Sequence, residues 1–146
     1  MKQITGLIFI FLLGCPLTMA QNETELIDRC VSLAGDDVTY LKDFVVKLPA
    51  SRNTSDPPAA KNSIMLRKNT VYRFTVCTVD GSDGEAIIKL FDADQMLATN
   101  FNPTSGKIYQ SFNFNCSRTG PYTLLISFKD GKKGRAIGVM SYVRRQ

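Results

Sequence analysis

Asp80, Asp83 and Glu85 have types and a spacing that could do chemistry. Three carboxylates so close together supply part of the roughly six to eight oxygens that calcium takes. Their spacing departs from an EF-hand loop. The glycines among them, Gly81 and Gly84, also suit a plain solvated turn in which Asp and Gly shape the backbone. Asp92 and Asp94 form a second carboxylate pair. Such pairs hydrolyse glycosidic bonds across a cleft, but Asp-x-Asp at a strand end is ordinary turn chemistry. Calcium at Asp80, Asp83 and Glu85 is therefore the one cofactor candidate, and none is otherwise expected.

Thiols are the other reactive groups. Cys30, Cys77 and Cys116 follow the N-terminal segment, and Cys15 lies inside it. Arg118, two residues from Cys116, could lower a thiol pKa. In an exported chain, however, structural or disulfide roles dominate. Three cysteines allow one internal bridge and leave one thiol over. A bridge from Cys30 would tie the N-terminal segment to the rest, whereas Cys77–Cys116 would join two strand ends. The spacing does not choose between them.

Histidine is absent, which excludes Ser-His-Asp and Cys-His catalysis, His-ligated zinc and the usual neutral-pH base. The chain is therefore read as a non-enzyme. Tryptophan is absent too, which argues against an aromatic sugar platform. Lys129, Lys132, Lys133 and Arg135 form a basic cluster, with Arg144 and Arg145 one strand further on. They could attract anionic glycans, lipopolysaccharide or an acidic protein, or simply keep a turn and tail soluble. Asn22, Asn53 and Asn115 each open an Asn-x-Ser/Thr triplet, read here as chance.

The N-terminal twenty residues read as an export signal. Lys2 gives the positive end and Leu7 to Leu13 an apolar run too short to span a bilayer. Thr18-Met19-Ala20 offers a cleavage site before Gln21. Leu12-Leu13-Gly14-Cys15 offers the competing reading, lipidation at Cys15. The protein is expected in the periplasm or secreted, or alternatively as an outer-membrane lipoprotein. Loss of Lys2 alone from 18 basic residues, against 13 acidic ones, leaves a net charge of +4. That is too modest for a nucleic-acid footprint. No transmembrane span is expected in the mature chain, and the partner is read as a protein or glycan.

The elements that must position these groups are mostly strands. Asn22 to Ala34 predicts a helix, with Asn22 as N-cap, Glu25 as its capping partner and Gly35 as its stop. Val38 to Leu48 predicts a first strand, ended by Pro49. Ala50 to Asn62 reads as a loop open to proteolysis. From Ser63 the chain alternates strands with Gly, Asp, Asn and Pro turns. Tyr72, Phe74 and Val76 fall on one face, opposite Arg73, Thr75 and Cys77. Ile108 to Cys116 and Tyr122 to Phe128 read as a central hairpin turning at Thr119-Gly120-Pro121. Its second strand is apolar on both faces and so is expected to be covered on both. Phe112, Phe114, Tyr122, Leu124 and Ile126 are expected in the core, with Cys116 on the face of Phe112 and Phe114.

The series Val71 to Val76, Ile88 to Asp92, Phe112-x-Phe114 and Thr119-Gly120-x-Tyr122 resembles the bacterial pre-peptidase C-terminal domain, over about Ser63 to Val143. The resemblance implies an all-β, jelly-roll-like antiparallel sandwich of about seven to eight strands. A short N-terminal helix precedes it. The expected division is a signal at 1–20, a helix, strand and Pro-rich loop at 21–62, and the sandwich at 63–146. The family usually sits beside a secreted enzyme. Here the resemblance implies a stand-alone exported protein with a binding or scaffolding role. A carbohydrate- or calcium-dependent binding module, or a small inhibitor or chaperone-like partner, are the alternatives.

Overall fold

The computed structural model describes residues 18–53 and 55–145, with side chains from residue 22 onward. Cys15 and the run Leu7 to Leu13 lie outside the described residues. Helix α1 (Thr18–Leu33) leads into β1 (Val38–Leu48), β2 (Ala60–Leu66), β3 (Thr70–Thr78) and β4 (Ala86–Asp92). Then come β5 (Gln95–Thr99), β6 (Ser111–Cys116), β7 (Gly120–Phe128) and, after a 3-10 turn at Lys129–Gly131, β8 (Gly134–Val143). Asn22 lies inside α1 rather than capping it. Met19, Ala20 and Gln21 are adequate helix formers, so the helix is already running when it reaches Asn22. Gly35 ends it at φ +105, a backbone state few L-residues adopt.

The strands form two antiparallel four-stranded sheets, β1-β8-β3-β6 and β2-β7-β4-β5. Pairing runs outermost to innermost: β1 with β8, β2 with β7, β3 with β6, β4 with β5. That is one long hairpin rolled over itself, the jelly-roll wiring. The roll is closed by β3 with β8 and β4 with β7.

Three sequence expectations change here. Strands β6 and β7 do not form a hairpin; they lie in opposite sheets. Residues 117–119 are a corner between layers, where the Tyr122 hydroxyl donates to the Arg118 carbonyl at 2.6 Å. A tyrosine bonded back across such a corner fixes the chain as it changes sheet. Second, β7 is central within its sheet but not covered on both faces. Leu124 and Ile126 are fully buried, while Leu125 and Thr123 are only half-buried on the outer face. Its apolar run reflects flanking by β2 and β4 rather than a second layer. Third, the sandwich does not begin at residue 63. β1 pairs with β8 from Val38 to Leu48, and β2 starts at Ala60, inside the expected loop. Lys61, Asn62 and Ser63 are polar because β2 is an edge strand.

Alternation on β3 sends Tyr72, Phe74 and Val76 into the core between the sheets. Residues on its other face meet α1. A second, smaller cluster forms there from Cys30, Ala34, Ile137 and Val139. Phe112 and Phe114 pack against the main core but stay half-buried, because β6 is an edge strand.

Candidate binding site

The bond between Cys30 and Cys77 resolves the open pairing: α1 is tied to β3, with Cα atoms 5.8 Å apart. Among the described residues Cys116 is the thiol left over, and it is buried. It shares the core cluster with Phe112 and Phe114, as alternation on β6 requires. Its S–H points at the Arg118 carbonyl, 3.2 Å away. The Arg118 guanidinium turns elsewhere, to Asp92 at 2.8 Å and over the Tyr122 ring. The sequence neighbour that could have activated the thiol is thus engaged with other groups. Burial pushes the Tyr122 phenol above its usual range, with the Cys116 contact adding to it.

The remaining candidate residues disperse. Among the described residues, no group of three or more Asp, Glu, Cys or His side chains is placed to hold a metal ion. Asp83 faces Lys133 at 3.9 Å, with both side chains exposed. Asp92 is engaged by Arg118, and Asp94 lies exposed in the tight β4–β5 turn beside Ala93 at φ 50. The basic cluster also splits. Lys129 lies over the Phe101 ring at 5.9 Å, Lys133 meets Asp83, and Arg135 lines a groove beside α1. Arg144 and Arg145 sit at the opposite end of β8, bonded to the carbonyls of Asp36 and Asn69.

Among the described residues, two concavities border the first sheet where large apolar side chains are exposed. The groove between α1 and the first sheet encloses about 380 Å³ around the disulfide, with Arg29, Asp80 and Arg135 on its walls. The larger one, about 740 Å³, opens where the edge strands β1 and β2 flank one side of the sandwich. Leu41, Met65 and Tyr142 line it while remaining 42%, 66% and 36% exposed. Leu66 and Tyr72, both buried, form its floor.

The local sequence explains this mouth. Pairing of β1 with β8 slips between Tyr40 and Lys42, so Leu41 is an extra residue in a bulge. A bulge bends its strand and re-aims a side chain, here leaving an edge leucine in the opening. On the other side Arg67 leaves β2, its N–H donating to the Tyr72 hydroxyl at 2.9 Å. Lys68 N–H donates to the Thr119 hydroxyl at 2.8 Å, which closes that end. The result is an apolar and aromatic trough with a cationic end. Sequence reasoning missed it, although Tyr40-Leu41 followed by Lys42 breaks the alternation of β1 and marks the bulge.

No helix among the described residues is long and apolar enough to cross a membrane. No protein-family model matches the chain, and no curated protein matches it.

Proposed function

We propose that the chain is a non-enzymatic exported binding protein, a stand-alone sandwich resembling the pre-peptidase C-terminal domain. It acts in the periplasm or at the cell surface. The observation that carries this reading is the mouth between β1 and β2. Large apolar side chains at an edge are normally blunted or covered. Here Leu41, Met65 and Tyr142 stay exposed around one concavity, a surface with binding energy to offer. The bridge between Cys30 and Cys77 supports export, since such bonds persist in oxidising compartments.

The test is affinity capture from the extracytoplasmic fraction of the source cells, followed by mass spectrometry of all retained species. Wild type is compared with a Leu41→Glu/Met65→Glu double variant, both positions being exposed enough to leave folding intact. Species held by wild type and lost by the variant are expected. Identical capture by both proteins would remove the mouth as the binding surface.

A further inference from the structure

The mouth joins an apolar trough to a cation with no ion-pair partner among the described residues. Leu41, Met65 and Tyr142 wall it above the buried Leu66 and Tyr72, with Thr70 and Thr119 also in the lining. Arg67 lines the same cavity. Its backbone is fixed through Tyr72, while its guanidinium forms no ion pair with any described residue. Ion pairs among the described residues occupy Arg73, Arg118 and Lys133 instead. Arg145 adds further positive charge, its guanidinium donating to the Asn69 carbonyl in the turn that carries Arg67.

These properties select an occupant. A wholly apolar one would leave the positive charge of the exposed Arg67 at the end of the trough unpaired. A wholly polar one would gain nothing from Leu41, Met65 and Tyr142. An apolar body with a single anionic head satisfies both surfaces. We propose that the mouth binds a small, free amphipathic anion, a monocarboxylate with a medium-length aliphatic body. Its head pairs with Arg67, and its body lies along Leu41, Met65 and the two tyrosines. The inference rests on the binding reading above and adds the ligand class. The cavity, about 740 Å³, falls within the roughly 300–1,000 Å³ of small-molecule sites. A planar guanidinium takes a carboxylate through two parallel hydrogen bonds, which favours a carboxylate over a less directional anion.

The test is titration of the disulfide-intact protein with decanoate, followed by calorimetry and amide NMR shifts. Decanol and decyltrimethylammonium serve as the neutral and cationic bodies of equal length. Decanoate is expected to saturate at one molecule per chain and to bind tighter than either control. Its shifts should centre on Leu41, Met65, Arg67 and Tyr142. Arg67→Ala should weaken decanoate roughly 10-fold and erase its advantage over decanol. Met65→Glu should abolish binding, and Lys132→Ala, at the far end of the sandwich, should leave it unchanged. Equal binding of decanoate and decyltrimethylammonium, unchanged affinity in Arg67→Ala, or shifts centred elsewhere would overturn the proposal. So would sedimentation with phosphatidylglycerol vesicles without saturable uptake of decanoate. If decanoate fails while mouth-dependent capture persists, the ligand class falls and the binding role stands. If capture also ceases to depend on the mouth, both fall.

Discussion

At the residue scale, the most consequential polar side chain is Asn100, which is buried to 1% exposure just past β5. Its carboxamide oxygen accepts the Ile88 N–H at 2.9 Å, and its nitrogen donates to the carbonyls of Tyr109 and Ala86. One side chain therefore satisfies backbone groups of β4 and of the segment leading to β6. Asn100→Leu keeps the branch at Cγ and the number of side-chain heavy atoms but orphans those groups, at about 1–3 kcal/mol for each one left buried and unpaired. Chemical denaturation should show a loss of at least about 2 kcal/mol; a loss under half of that would mean the network is replaced by water. Leu124 and Phe114 make a second comparison. Leu124 is fully buried, and Leu124→Ala should cost about 3 kcal/mol. Phe114 is half-buried and meets Tyr122 edge-on at 6.0 Å. Phe114→Ala should cost clearly less than Leu124→Ala, and the reverse order in urea melts would contradict the core boundary drawn here.

At the element scale, the question is what holds α1. Its apolar stripe, Leu26, Ile27, Cys30 and Val31, packs with Ile137 and Val139, and the Thr75 and Ser141 hydroxyls are buried without a partner among the described residues. Each such group opposes packing. Arg73, on the same face of β3, helps by donating to the Ala34 carbonyl at 2.9 Å and to both Asp37 oxygens. That bond holds the Asp37 carboxyl below its usual range. The covalent link is the stronger restraint. Closing a span of 47 residues should contribute about 4 kcal/mol through the unfolded chain. The double variant Cys30→Ser/Cys77→Ser should therefore melt lower, with amide exchange accelerated first in α1. If α1 amides stay as protected as those of β3, apolar packing alone holds the helix.

At the scale of the whole molecule, the rolled hairpin makes the two termini of the sandwich neighbours. β1 pairs with β8, so the first strand is an integral edge rather than an appendage. The loop between β1 and β2 exposes Arg52, while Ser51 N–H is tied to the Gly131 carbonyl. Trypsin should nick at Arg52. The two fragments should then co-elute under native, reducing conditions, held by the β1–β8 ladder and the core beneath Phe44 and Val46. Release of the N-terminal fragment would restore the reading in which residues 21–62 lie outside the sandwich.

Much of this molecule was legible in its residues because strand periodicity is local. A period of two assigns Tyr72, Phe74 and Val76 to one face and Arg73 and Cys77 to the other, whatever the partner strand is. Turn residues such as Gly35, Asp80-Gly81 and Pro49 end elements locally, glycine by admitting positive φ and proline by fixing φ and lacking an N–H, so most boundaries were legible too. Which strand lies beside which was not. β6 and β7 are separated by Ser117-Arg118-Thr119, a short polar segment that suits a hairpin or a corner, and only the packing of both sheets chose the corner. Cys30 and Cys77 meet because α1 lies across β3 and β8, a contact between segments 47 residues apart. The mouth is likewise a tertiary product. Leu41, Met65 and Tyr142 come from three strands, and what gathers them is a bulge in one edge strand beside another. Sequence alone determined a histidine-free β-sandwich. The tertiary structure decided where it is covalently braced and where it is left open, because both depend on non-local pairing.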